Sequence, residues 1–338
     1  MLPRDPRCVP FMFLIGTVRR QLPRTLLALA TVLQIATMSS TVHAQTFTPL
    51  YTFQYGIDGG ITTGGLIQDA AGNLYGVAEV GGDLSCKWGF TGFQGCGVVF
   101  KVTPSGQETV LYSFHGGTDG AGPAASLIRD SAGNFYGTTQ AGGDPSCLYG
   151  KAGEGCGTVF KLDAGGTETV LYRFHFGNDG AAPKGALYRD RAGNLWGTAQ
   201  FGGNSSCFPA GCGTIFRLSA AGKFRSHPLK QSSEGSWPMG NIIADPAGNI
   251  YGTTQFDGPN RGGTIFRLDP ATGGVRVIHA FDISVDGSGP TGLLFSGGKL
   301  YGPTAAGGPL FGGTVWSLNR TGKTFFLTSM SHATLPRS

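Results

Sequence analysis

Six of the seven cysteines in this 338-residue chain fall in pairs at one place in a recurring pattern: Cys86 and Cys96, Cys147 and Cys156, Cys207 and Cys212. Two chemistries suit paired thiols. Zinc wants four thiolate or imidazole ligands at characteristic short spacings, and separations of 10, 9 and 5 residues with no recurring histidine between them fit it poorly. Disulfide formation fits better. The chain runs 21, 20 and 16 residues from Gly76 to Gly97, Gly137 to Gly157 and Gly197 to Gly213, but only 11 over the matching stretches without cysteine, Gly252 to Gly263 and Gly302 to Gly313. The extra lengths equal the separations within each pair. Each insertion therefore reads as a loop pinned at its base by its own disulfide, which stabilises by about 2–3 kcal/mol and requires an oxidising compartment.

Each of these loops carries an aromatic soon after its first cysteine: Trp88, Tyr149 and Phe208. Aromatic platforms suit sugar rings and apolar ligands, although the same rings can close the small core of a compact loop. Asp58, Asp119, Asp179, Glu234 and Asp286 recur in acidic-Gly turns, all but the first with a proline three residues after the glycine; such a turn supplies one oxygen where calcium needs several, so they read as turn residues. Lys101, Lys161, Arg217 and Arg267 share one strand position, with Ser317 in the last copy, and read as charges that discourage edge pairing. His115 and His175 share a place that Gln54 and Asp282 take in other copies, which makes no ring of ligands. No G-x-S-x-G elbow, H-E-x-x-H or phosphate loop occurs. A carboxylate pair for glycoside cleavage would have to come from separate copies.

The elements that must position these residues are repeats. GNLYG (72–76) recurs as GNFYG, GNLWG, GNIYG and GKLYG; GVVFKV (97–102) recurs as GTVFKL, GTIFRL, GTIFRL and GTVWSL; TVLYSF (109–114) recurs as TVLYRF (169–174) and in looser copies. Each copy parses into four short strands separated by glycine-rich turns, the first of them exemplified by ASLIRD (125–130). Four strands in 50 to 61 residues is the size of a propeller blade and larger than one β-helix coil. The expected fold is all-β, a single β-propeller of five four-stranded blades, with repeats at 61–114, 122–174, 182–229, 237–281 and 289–327 within a domain spanning 45–338. LYTF (50–53) copies strand four with no strands before it, as a segment closing the ring would.

Composition agrees. Glycine reaches 59 residues and charged residues 13%, which suits many tight turns around a packed core. Residues 1–44 hold five arginines and one acid, leaving 20 basic against 19 acidic residues beyond them, no surplus for nucleic acid. Basic residues ending at Arg24, the apolar run LLALATVLQIATM (26–38) and Val42-His43-Ala44 read as a secretory signal. No later segment reads as transmembrane.

Strings such as AGNFYGTTQAGG (132–143) followed by GTVFKL resemble the GloVer tandem-repeat family of bacterial envelope proteins, over roughly residues 61–327. The resemblance implies an exported, propeller-like protein and brings no catalytic residues. Many members end in an apolar sorting anchor, whereas this chain ends SHATLPRS. The reading from sequence is a secreted, periplasmic or cell-surface protein, monomeric, without cofactor, that binds carbohydrate or an envelope polymer, with Trp88, Tyr149 and Phe208 as contacts. An exported carbohydrate-active lyase or hydrolase on the same scaffold, or a purely structural surface protein, are the alternatives.

Overall fold

The computed structural model describes residues 47–88, 94–147, 155–207 and 209–319, together with the backbone of strand Thr324–Ser329. They form five antiparallel sheets in chain order, each with four successive strands. The first blade comprises Ile67–Gln68, Leu74–Ala78, Val98–Val102 and Glu108–Ser113. In the second, Phe135–Ala141, Thr158–Leu162 and Glu168–Arg173 follow an inner strand split into Ala121–Pro123 and Ile128–Arg129. The third holds Tyr188–Arg189, Leu195–Ala199, Thr214–Leu218 and Phe224–Pro228. The fourth holds Ile243–Ala244, Ile250–Thr254, Arg261–Leu268 and Val275–Asp282. In the fifth, the inner strand is again split, Ser288–Pro290 and Leu294–Ser296, before Lys299–Ala306, Thr314–Asn319 and Thr324–Ser329. This is the all-β propeller that the repeats predict.

The repeated strings have a packing cause. Phe100, Phe160, Phe216, Phe266 and Trp316 on strand three are all buried. Each ring lies over the glycine of the Tyr-Gly string in strand two of its own blade, where a Cβ would overlap it. Strand four, or the residue directly after it, then sends Phe114, Phe174 and Phe281, all fully buried, onto the next blade's ring: Phe114 on Phe160 at 5.1 Å, Phe174 on Phe216 at 5.2 Å and Phe281 on Trp316 at 5.6 Å. The apolar core is thus a series of clusters between successive blades. At about 25 cal/mol per Å2 of apolar area, these interfaces hold each sheet to its neighbours.

A second cause lies in the D-x-x-G-N turn joining strands one and two. Asp69, Asp130, Asp190 and Asp245 each accept backbone N–H groups two and four residues on. Each also accepts the Asn side chain four residues on. The ring six residues on completes the set: Tyr75 at 2.8 Å, Tyr136 at 3.0 Å, Trp196 Nε1 at 3.0 Å and Tyr251 at 3.2 Å. One carboxylate therefore explains the Asp, Asn and aromatic of the motif together.

Two expectations differ from the structure. Of ASLIRD only Ile128–Arg129 is strand. The residues before it turn toward the preceding blade instead: Thr63 Oγ1 donates to the Ala124 carbonyl at 3.2 Å, and Gly65 N–H to Ser126 Oγ at 2.6 Å. LYTF belongs to no sheet. Its side chains nevertheless take the strand-four place against the first blade, with Phe53 edge-on to Phe100 at 4.8 Å. No helix among the described residues is long and apolar enough to cross a membrane.

Candidate functional site

Every acidic turn residue is a clasp between one blade and the next. Asp58, Asp119 and Asp179 accept hydroxyls from Tyr51, Tyr112 and Tyr172 at 2.9, 3.1 and 2.8 Å. Glu234 and Asp286 meet His227 and His279 at 3.1 and 2.7 Å. The same carboxylates accept the backbone N–H groups of Gln54, His115, His175, Lys230 and Asp282, four residues before them. Their oxygens are committed within the protein, as a turn role requires.

These turns lie beside the loops joining strands two and three. The N–H groups of Gly82, Gly143, Gly203, Gly258 and Gly308 donate to the carbonyls of Gly56, Gly117, Gly177, Gln231 and Ile283. Repeated in all five blades, this bond gathers ten loops onto one face. The three disulfides lie in that layer: Cys86–Cys96, Cys147–Cys156 and Cys207–Cys212, with Cα–Cα separations of 5.6, 5.8 and 4.9 Å. Each stapled loop opens with an Asx turn, Asp83, Asp144 or Asn204 accepting the N–H of Ser85, Ser146 or Ser206. His115 ties the first loop down through Asp83 at 2.8 Å, a contact that holds the Asp83 carboxyl at about 2. His175 stands between Asp144 at 3.6 Å and Asp179 at 3.3 Å.

Of the three loop aromatics, Trp88 is half-buried and lies flat against Gly122 in the next blade's acidic turn, packing with the core cluster that holds Cys96 and Phe114. Its ring seals a junction between blades. Tyr149 and Phe208 lie outside the described residues.

The loop face also presents side chains that sequence reading passed over. The short loops of the fourth and fifth blades expose Phe256 and Phe311, the latter at 68%, beside exposed Leu310 and Ile283. A line of rings runs from Phe201 to Trp237 at 5.3 Å and on to Phe256 at 5.4 Å. Trp237 and Phe311 hold positive φ, 55° and 56°, a backbone strain that persists only where surrounding structure fixes it. The available signal was the aromatic within EGSWP and within the cysteine-free loops.

The recurring cations are placed differently from expectation. Lys101, Lys161, Arg217 and Arg267 lie on strand three, inside the sheet, opposite the strand-two aromatics Tyr75, Tyr136, Trp196 and Tyr251. Arg217 stacks over Trp196 at 5.3 Å. Lys161, Arg217 and Arg267 each line a groove between blades. Strand four, not strand three, forms the sheet edge, so edge protection does not account for these cations, and for Arg217 the ring contact does.

Five clasped sheets whose loops collect on one face define a β-propeller, with no recognisable catalytic constellation among the described residues. The Gloeobacter/Verrucomicrobia repeat matches residues 88–316, and the chain belongs to that family. Among solved structures it is similar to a gluconolactonase from Xanthomonas campestris, at 14% identity over 80% of this chain and 76% of that one, with a TM-score of 0.46. It is also similar to the extracellular domain of a one-component system protein from B. thetaiotaomicron (16% identity, 80% and 31% coverage, TM-score 0.48). TolB from Acinetobacter baumannii gives 15% identity, 69% and 49% coverage and a TM-score of 0.41. No curated protein matches the sequence.

Proposed function

We propose that this chain is an exported binding module that holds carbohydrate or an envelope polymer on its loop face. The observation that carries the reading is the exposed apolar surface of Phe256, Leu310 and Phe311 on loops that the acidic clasps and glycine bonds hold rigid. Exposed aromatics on fixed loops stack on sugar rings with little ordering cost. Three disulfides agree with an oxidising compartment, and the N-terminal leader supplies the route there.

The test is retention on a glycan array, followed by the variants Phe256→Ala, Phe311→Ala, Trp88→Ala, Tyr149→Ala and Phe208→Ala. Binding should fall about tenfold for Phe256→Ala and Phe311→Ala, and no product should appear in the supernatant. Undiminished retention in those two variants contradicts the reading.

One observation favours a hydrolase instead. Burial and the charge of Asp119 push the Glu168 carboxyl up to about 7, as a general acid requires. Release of reducing ends from a bound polymer, abolished by Glu168→Gln, would establish that alternative.

A further inference from the structure

Two positions of the repeat face the centre of the molecule, and at each a single blade carries a charge. Three residues after the glycine of the Tyr-Gly string stand Glu79, Gln140, Gln200, Gln255 and Ala305. Their backbone belongs to the innermost layer: the N–H groups of Glu79, Gln200 and Gln255 donate to the carbonyls of Ile61, Ala182 and Trp237 at 3.1, 3.2 and 3.2 Å. Five residues after the acidic turn stand Thr63, Ala124, Lys184, Met239 and Thr291. Here the inner segments of neighbouring blades touch, as in Ile242 N–H to the Ala186 carbonyl at 3.3 Å and Asn241 Nδ2 to the Leu293 carbonyl at 3.0 Å.

The only charges at these ten positions are Glu79, in the first blade, and Lys184, in the third. They act on one another. With the second blade between the first and the third in chain order, the axis is where charges on those two blades can act on one another. The Glu79 carboxylate accepts the Thr63 hydroxyl at 2.7 Å. Lys184 is half-buried and forms no hydrogen bond or ion pair within 4 Å among the described residues. Burial pushes its ammonium down while Glu79 pulls it back up. Among the described residues the neutral groups around this layer are also unmet: Gln200, 5% exposed, keeps Oε1 without a partner, and the buried hydroxyls of Thr138, Thr198 and Thr253 do the same. Thr198 and Thr253 reach the inner-strand glycines Gly185 and Gly240.

We infer that the propeller axis carries a binding site of its own, in which Lys184 takes the carboxylate, and Glu79 with the surrounding amides and hydroxyls takes the hydroxyls, of a hydroxylated acid of the uronate class. A desolvated ammonium with no ion pair favours an anion. The facing carboxylate selects a singly charged anion over a doubly charged one. A divalent cation is disfavoured beside an ammonium with one carboxylate to offer. Its contacts are residues other than the exposed rings Phe256 and Phe311, although Gln200 and Gln255 adjoin Phe201 and Phe256 in the chain.

Calorimetric titration of the full chain with sodium glucuronate tests it, with glucose and inorganic phosphate as controls. Glucuronate should bind one to one, glucose and phosphate at least about tenfold more weakly. Lys184→Met should weaken glucuronate about tenfold or more, Lys184→Arg by less than about threefold, and Lys223→Met, at an exposed turn, not at all. Absence of glucuronate binding, equal binding of glucose, or unchanged affinity in Lys184→Met overturns the inference. Labelling reads the same contact without a variant. Glucuronate should slow reductive methylation of Lys184 in the unaltered chain at least about threefold and leave Lys223 unaffected; equal labelling with and without glucuronate refutes the site.

Discussion

At the scale of single residues, carboxylates do most of the positioning. Asp130 gathers two backbone N–H groups, the Asn134 amide and the Tyr136 hydroxyl, all between 2.9 and 3.0 Å. Asp130→Ala strands those donors and should cost about 2 kcal/mol, read as a lower urea midpoint; an unchanged midpoint contradicts the clasp. The same bonds set an acid limit. The Asn73 side chain and its companions hold Asp69 at about 2, below the unfolded value near 3.9. Its contribution is therefore complete above that unfolded value and is lost as pH falls through about 2. Glu168 has the opposite sign. Its folded value of about 7 lies above the unfolded 4.5, so stability declines as pH rises from 4.5 through 7. Glu168→Gln should flatten that decline and raise stability at pH 8, measured by chemical denaturation across the range. A slope unaltered by the substitution sinks this assignment.

At the scale of the loop and the strand, the junction between the first two blades rests on Trp88 against Gly122, which holds φ +64°. Ala182 occupies the matching turn at φ +51°, so the backbone accepts alanine there and the ring is the obstacle. Gly122→Ala should therefore destabilise the chain by about 2 kcal/mol. It should cost distinctly less in a Trp88→Ala background, a coupling that a double-mutant cycle measures; additive effects would show that ring and turn do not touch. Much of this level was legible beforehand. The G-N-x-Y-G string is visible because Asp, Asn and aromatic serve one carboxylate at fixed spacing, and the disulfide pairs follow from loop lengths. The splitting of the inner strand was not legible, because the bonds that draw residues 124–126 away come from the preceding blade. Nor was the exposure of Phe256 and Phe311, since a sequence does not say which face of a sheet its loops join.

At the scale of the whole molecule, the fold turns a linear repeat into a radial one, and the consequence is contact between parts of the chain that are not neighbours in sequence or in blade order. The loop face and the axis are both products of that arrangement. Glu79 and Lys184 carry no local pattern; each shows in the sequence only as a departure from its four counterparts, and only the radial order brings the two departures together. The most direct measurement is therefore a cross-link between them. In the chain carrying Cys8→Ser, Glu79→Cys and Lys184→Cys, with its native disulfides intact, a short bismaleimide should join the two new thiols within one molecule, identified by mass spectrometry of the linked peptides. Thiols that label singly but never link, or that link only between molecules, would mean that the first and third blades do not meet and that the sheets are stacked rather than arranged about an axis.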